Sequence, residues 1–143
     1  MPQLLEVHTD QFTISTDPAR LDIDAIADML TRAYWAQGRT REMIARYAQH
    51  SLVFGLYDGM KQIGLARVVS DYTTFAWLCD VFIQEEYRGR GLSKWLMQTI
   101  HNHPDLQGLR RWLLATRDAH GLYEQFGWTL LDNPERWMHK FNG

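Results

Sequence analysis

The chain has 143 residues, of which 45% are hydrophobic and 22% charged, and its formal net charge is −2. This length suits a single domain over residues 1–143, and the composition is typical of a globular rather than a disordered protein. A slightly negative chain offers no overall positive field, so we expect no nucleic-acid partner. No apolar run approaches the roughly 20 residues of a membrane-spanning helix, so we expect no membrane partner either.

The first half of the chain predicts one strand followed by two helices. Residues 11–16 alternate in polarity like a strand. Apolar residues at helical spacing begin at Leu21, and Gly38 is the expected end of this first helix. Thr40 then has the side chain of an N-cap and predicts a second helix.

The middle of the chain predicts three consecutive strands. Residues 51–57 and 62–69 are rich in β-forming side chains and flank Asp58-Gly59, a turn signal for an antiparallel hairpin. Residues 73–83 form the third strand. A meander of adjacent antiparallel strands is therefore expected.

The last third of the chain alternates helices and strands. A helix begins after Gly91 and is expected to end near Asn102, because Pro104 follows. Residues 110–115 predict a buried strand and residues 119–126 a short helix. We expect the two segments 128–131 and 136–141 to form a final antiparallel pair.

The segment between the third strand and the next helix carries the clearest sign of function. It contains Gly89 and Gly91, where main chain can approach an anion closely, and Arg88 and Arg90, which can add charge-assisted hydrogen bonds. A dinucleotide-binding loop would need a third glycine, where Lys94 stands, and the Gly-Lys-Ser/Thr ending of a P-loop is missing. An ordinary turn with solvated arginines is the alternative.

Two motifs resemble the Gcn5-related N-acetyltransferase (GNAT) family. Residues 88–93, Arg-Gly-Arg-Gly-Leu-Ser, resemble its phosphate-binding signature, with Ser93 in place of the usual Gly or Ala. Residues 119–128 resemble a second family segment, Ala-x-x-Leu-Tyr-x-x-x-Gly-Phe. The resemblance implies an α/β (α+β) fold with a mixed, mostly antiparallel sheet of six to seven strands and about four helices.

The same resemblance implies an activity and a co-substrate. We expect transfer of an acetyl group from acetyl-CoA to a primary amine, with a small molecule as the acceptor, although a peptide amine is open. Tyr123 matches the family tyrosine that protonates the departing thiolate. The residues expected to contact acetyl-CoA are Val81, Phe82, Ile83, Arg88, Gly89, Arg90, Gly91, Leu92, Ser93, Thr116 and Tyr123.

Asp80 is the first candidate for the base that takes a proton from the amine. It lies in an otherwise apolar strand, where an unpaired carboxylate is costly to bury. Pairing with Arg67 or another cation on a neighbouring strand is the equal alternative. A water path to Glu85 or Glu86 is a further route, and His120 is a second candidate for moving a proton.

The acceptor site is the least defined part of the sequence. Tyr34, Trp35 and Trp77 are the candidate acceptor-binding residues, because aromatic rings suit an amine with an apolar body. No histidine or cysteine spacing predicts a metal site. A non-catalytic acetyl-CoA sensor of the same fold is the alternative function, and exposed edge strands would permit a homodimer.

Cysteine content and the N-terminal residues give the expected compartment. Cys79 is the single cysteine, so no disulfide can form within the chain. Residues 1–20 show neither the basic start nor the apolar stretch of a signal peptide. We therefore expect a cytoplasmic protein.

Overall fold

The structure, a computed structural model, describes residues 2–143 as one six-stranded sheet with helices on both faces. The strands follow one another in the sheet in chain order, and all neighbours are antiparallel except the parallel last pair. The strands are β1 Glu6–Thr9, β2 Phe12–Ser15, β3 Leu52–Asp58, β4 Lys61–Ser70, β5 Phe75–Ile83 and β6 Arg111–Leu113. The helices are α1 Ile23–Leu30, α2 Arg41–Ala48, α3 Leu92–His101 and α4 His120–Glu124. The predicted fold class is confirmed.

The predicted meander forms β3, β4 and β5. Asp58 pairs with Lys61 across a two-residue turn, and Gly59 in that turn has a φ of 58°, which a side chain would disfavour. Thr40 caps α2 as expected, because its side chain accepts a hydrogen bond from the Met43 N–H.

The two faces of the sheet bury separate apolar clusters because successive side chains of a strand point to opposite faces. Phe54 of β3 packs on the face covered by α3. Val53, its neighbour in the chain, packs with Leu65, Phe82 and the apolar side of α1 and α2. Helix α3 therefore lies on one face of the sheet and helices α1 and α2 on the other, so both faces are covered.

A bulge in β5 interrupts the pairing with β4. Arg67 lies opposite Cys79 and Leu65 opposite Phe82, so β5 carries one residue more than β4 over this stretch. Asp80 lies within it and has a φ of 54°, a left-handed conformation that a non-glycine residue rarely adopts. The bulge directs the Asp80 side chain towards the face covered by α1 and α2, where its hydrogen-bond partners lie.

The sheet opens between β5 and β6. Only Phe75–Trp77 of β5 pair with β6, at Arg111–Leu113, while β5 continues to Ile83. The remainder of β5 therefore has a strand neighbour on one edge only. This split lies at the end of β5 that leads into the loop before α3.

The first predicted helix ends earlier than expected. α1 ends at Leu30, and Ala33 is already extended, with a ψ of 121°. Residues Tyr34–Ala36 then form a short 3-10 turn well before Gly38. The physical reason is tertiary, since this turn places the Trp35 side chain on the buried Asp80 carboxylate.

The predicted final strand pair is wrong. Residues 128–131 and 136–141 are not strands, because Asn133 turns left-handed and Pro134–Arg136 form a 3-10 turn between them. Apolar side chains of this region, such as Met138 and Phe141, are exposed rather than packed. No neighbouring strand pairs with either segment in the part of the chain that is described. Conversely, β1 forms a hairpin with β2 that the sequence did not indicate.

No helix within the described residues is long and apolar enough to cross a membrane.

Gly64→Ala is expected to lower the free energy of unfolding by about 1–3 kcal/mol. A Cβ at Gly64 would lie 2.8 Å from the Phe82 main-chain oxygen, so β4 and β5 would have to separate next to the bulge. Urea denaturation at neutral pH measures the change. Gly121→Ala is the matched control, because a Cβ there meets nothing within 4 Å. Equal stability of Gly64→Ala and the wild type would contradict this account of close strand approach.

Candidate functional site

The loop between β5 and α3 leaves an uncapped helix N-terminus. Gly91 is the N-cap residue of α3 and offers no side-chain hydrogen bond to the first turn. The N–H groups of that turn have no partner from the preceding helical residues, and the helix dipole adds partial positive charge there. An anion such as a phosphate fits this position by charge and by hydrogen bonding.

The two glycines of the loop provide close access to its main chain. Gly89 and Gly91 have φ values of 80° and 78°, which favour glycine. A Cβ built on either residue meets no protein atom within 4 Å. Space beside both residues is therefore open, and an anion can approach the backbone itself.

The loop is tied to the end of β5 by an arginine. Arg88 donates from Nε to the main-chain oxygen of Ile83 at 2.9 Å. The Arg90 guanidinium lies 5.4 Å from the centre of the Tyr87 ring, and the Tyr87 hydroxyl donates to Asp58 at 2.8 Å. Arg88 and Arg90 therefore each make a contact within the protein. Together with the Tyr87–Asp58 hydrogen bond, these contacts hold the loop against the sheet.

The split edge of β5 presents free main-chain groups. Gln84 donates its N–H to Ile63 of β4 at 2.8 Å. Because alternate residues of a strand direct their N–H and C=O groups to opposite edges, those of Val81 and Ile83 are directed to the split. The Ile83 oxygen accepts the hydrogen bond from Arg88, so the Ile83 N–H and the Val81 groups remain for a ligand. The side chains of Phe82 and Ile83 are buried in the two cores, so these residues can meet a ligand only through their main chain.

Tyr123 lies on α4 beside β6, with its ring 6.1 Å from that of Trp128. Burial, and secondarily the nearby Tyr34, raise the pKa of its hydroxyl, so the phenol stays protonated at neutral pH. The hydroxyl has no hydrogen-bond partner within residues 2–143. Every side-chain polar atom there that is sealed from solvent has a partner, so the Tyr123 hydroxyl faces accessible space.

Asp80 lies at the centre of a buried charged cluster. Its side chain is 0% exposed, and one carboxylate oxygen accepts from Arg39 Nη1 at 2.6 Å, the other from Arg67 Nε at 2.8 Å. The Trp35 indole N–H also donates to it at 2.8 Å. Tyr47 completes the cluster, with the Arg67 guanidinium 4.1 Å from its ring centre.

Sequence comparisons with known proteins identify the family of this chain. A profile described as an acetyltransferase (GNAT) domain matches residues 49–130. The chain belongs to the GNAT acetyltransferase family. A Gibberella zeae protein named as a candidate acetyltransferase is 32% identical to this GNAT protein, covering 78% of this chain and 75% of that one.

Solved structures of GNAT proteins show the same fold. The crystal structure of a candidate GNAT acetyltransferase from Xanthomonas campestris pv. campestris has 45% identity and a TM-score of 0.90, covering 94% of this chain and 96% of that one. A GNAT acetyltransferase of Elizabethkingia anophelis, solved with acetyl-CoA bound, has 16% identity and a TM-score of 0.66, with 87% and 80% coverage. At that identity the likeness concerns the fold alone.

Within this GNAT protein, the geometry of Asp80 favours the ion-pair interpretation over that of a general base. Burial alone would raise the pKa of the carboxyl, but hydrogen bonds and charges from Arg39 and Arg67 outweigh burial and lower it. A carboxylate of low pKa with both oxygens occupied is a weak proton acceptor. Arg67 was among the partners considered from the sequence. Arg39 was missed, because a polar residue before a helix gives no sign of burial.

The candidate acceptor-binding residues lie around this cluster. Tyr34 and Trp35 occupy the turn after α1, with their rings edge-to-face at 5.1 Å. Tyr34 also accepts a hydrogen bond from the Arg117 N–H at 3.1 Å, which connects this turn to the segment before α4. Trp77 of β5 is 48% exposed, and its role in binding the acceptor stays a prediction.

The remaining predicted cofactor residues are placed in different ways. Leu92 is buried in the core, whereas Ser93 is half-buried near the start of α3. Thr116 accepts a hydrogen bond from the Ala119 N–H at 3.1 Å and so shapes the turn between β6 and α4. These contacts leave the assignment of all three residues to acetyl-CoA as a prediction.

A cleft of about 640 Å³ lies along the free side of β6. Thr116, His120 and Tyr123 line one part of it, but the loop before α3 does not. Glu85 and Glu86 are exposed in a 3-10 turn. The cleft therefore meets the candidate site only at its Tyr123 end. In the described part of the chain, no three His, Cys, Asp or Glu residues cluster as metal ligands would.

Asp80→Asn is expected to lower the free energy of unfolding at pH 7 by about 3 kcal/mol, because two partly buried arginines lose their counter-ion. The folded pKa of Asp80 lies below its unfolded value of about 3.9. Its contribution is therefore full above that value and is lost as the pH falls through the folded pKa. Urea denaturation at pH 7 and across the acid range measures both effects.

The control for this experiment is an exposed ion pair. Asp28 pairs with Arg32 on the surface of α1, and Asp28→Asn should cost less than about 0.5 kcal/mol. A loss at Asp80 no larger than the loss at Asp28, or a difference from the wild type that persists unchanged at low pH, would contradict the ion-pair role.

Proposed function

We propose that this GNAT protein transfers an acetyl group from acetyl-CoA to the primary amine of a small molecule. The observation that carries the proposal is the split between β5 and β6. Main-chain groups of Val81 and the free N–H of Ile83 line one edge of the split, and the uncapped N-terminus of α3 lies beyond the end of β5. Tyr123 stands on the other side, on the helix that follows β6.

The residues present fit acetyl-CoA. Open space beside Gly89 and Gly91 and the free N–H groups of α3 suit its pyrophosphate. Nitrogens of Arg88 and Arg90 that the loop does not use can add positive charge. The split edge of β5 suits an extended arm that hydrogen-bonds like a strand. When bound, acetyl-CoA supplies a thioester, which is the activated acetyl donor.

The chain's own groups orient the reaction and move one proton. The N–H groups of Val81 and Ile83 can hold the acetyl oxygen and stabilise the negative charge that develops on it. With acetyl-CoA and an amine bound, the acetyl carbon would exchange its bond to sulfur for a bond to nitrogen. Tyr123, which is protonated at neutral pH because burial raises the pKa of its hydroxyl, would give its proton to the departing sulfur and regain one from water.

The amine also loses a proton, and we assign that proton to water. Asp80 is held by two arginines and is a poor acceptor. The cluster of two guanidinium groups and one carboxylate has a net positive charge. Asp80 acts in this proposal as a positioning residue for Arg39, Arg67 and Trp35.

Gly91→Ala is expected to weaken acetyl-CoA binding about tenfold or more, equivalent to at least about 1.4 kcal/mol. The added methyl group meets no protein atom, so it would project into the space assigned to the phosphates. Calorimetric titration with acetyl-CoA measures the loss. Gly108→Ala is the matched control, because Gly108 also has a positive φ and open space around it. Equal affinity of the two variants for acetyl-CoA would contradict the assignment of this loop to the binding site.

Tyr123→Phe is expected to lower kcat about a hundredfold while leaving the acetyl-CoA dissociation constant within about twofold. The hydroxyl acts only when sulfur departs, so binding is spared. Release of free thiol with a panel of primary amines gives kcat. Tyr72→Phe is the control, since it removes another partly buried hydroxyl.

The same assay tests the function as a whole. Unchanged turnover in Tyr123→Phe would show that another group protonates the sulfur. A wild-type protein that binds acetyl-CoA but releases no thiol with any primary amine would support the sensor alternative instead.

A further inference from the structure

The cluster around Asp80 contains more positive than negative charge. Arg39 and Arg67 are 21% and 12% exposed at their side chains, and Asp80 is their one carboxylate partner among the described residues. The other titratable neighbours are neutral at pH 7, because burial raises the pKa of the Tyr47 hydroxyl and raises that of the Cys79 thiol to about 11. One unit of positive charge is therefore left without a counter-ion in a partly buried place, which is costly.

Both arginines retain unused donors. Arg39 bonds Asp80 and Tyr47 through Nη1 alone, and Arg67 bonds Asp80 through Nε and Ser51 through Nη1. The other guanidinium nitrogens make no hydrogen bond within residues 2–143. Because every sealed polar side-chain atom there has a partner, these nitrogens face accessible space. The cluster thus presents directed donors to whatever occupies that space.

These donors lie on the acceptor side of the proposed acetyl site. Asp80 directly precedes Val81, whose main chain faces the split. The cluster is on the face covered by α1 and α2, opposite α3 and its phosphate-binding end. Tyr34, next to Trp35, accepts a hydrogen bond at 3.1 Å from the Arg117 N–H, shortly before α4, the helix that carries Tyr123. A molecule held at the cluster would therefore lie beside the acetyl group.

We infer that the acceptor amine carries a compact anionic group, a carboxylate in the first instance, and that Arg39 and Arg67 bind it. The inference rests on the proposed acetyl transfer and narrows its acceptor class to amino acids and amines of similar charge. Guanidinium groups bind carboxylates with directed, charge-assisted hydrogen bonds. The exposed rings of Tyr34 and Trp35 suit an apolar body on the same molecule.

The test compares acceptors that differ only in the anionic group. Free amino acids are assayed beside their amides and decarboxylated amines, and aminophosphonates form a separate arm that distinguishes carboxylate from phosphonate. Thiol release gives KM and kcat. The acids are expected to have kcat/KM at least about tenfold higher than their amides, a difference of about 1.4 kcal/mol.

Arg39→Gln should remove this discrimination. KM for the acids is expected to rise about tenfold or more, while KM for the amides and the calorimetric affinity for acetyl-CoA stay unchanged. Arg41→Gln is the matched control, because Arg41 is two residues away, 69% exposed and paired with Asp24. A purely structural role of Arg39 would instead affect acids and amides equally.

Binding of the N-acetylated products separates failure of this inference from failure of the proposed function. N-acetyl amino acids and the matching N-acetyl amines are titrated calorimetrically into the full-length protein. Preferential binding of the acids, lost in Arg39→Gln, supports the inference even if transfer is not observed. Equal binding of acids and uncharged counterparts, no binding of any acid, or kcat/KM values that do not favour acids would overturn it.

Discussion

The bulge at Asp80 is the constraint on which the rest of the site depends. One additional residue in β5 turns a carboxylate onto the face where Arg67 lies. That carboxylate then binds Trp35 and Arg39, which come from the segment between α1 and α2. A left-handed aspartate is strained by about 1–3 kcal/mol, and the ion pairs and hydrogen bonds around it offset that strain. The Asp80 side chain thus connects the bulge in β5 with the α1–α2 segment and with the two arginines.

Strand β5 and the loop that follows it supply both parts of the proposed acetyl-CoA site. Its end beyond Phe75–Trp77 leaves β6 and opens the split, so its main chain is free to bind a ligand. Its last residue, Ile83, is linked by Arg88 to the loop before α3. The proposed acetyl-binding edge and the proposed phosphate-binding loop are consequently parts of one continuous segment. The acceptor side is built differently, from aromatic and cationic side chains that the α1–α2 segment contributes.

The parts of this arrangement that short-range patterns determine could be predicted from the sequence. The hairpin at Asp58-Gly59, the cap at Thr40 and the glycines before α3 depend on local conformation, and each was found where expected. The end of α1 could not be predicted, because the contact of Trp35 with Asp80 determines it. The final strand pair was wrong for a related reason, since neither 128–131 nor 136–141 has a partner strand within the described residues. Burial of Arg39 has no local signal at all.

Arg88 helps to set the distance between the start of α3 and the split edge of β5. The hydrogen bond from Arg88 to Ile83 holds the start of α3 at a constant offset from the split edge of β5. Leu92, buried at the first position of the helix, prevents the other end of the loop from shifting. In the proposed binding mode, a donor whose anionic group lies at α3 has its far end at a constant distance along β5, so this spacing would select donors by their length.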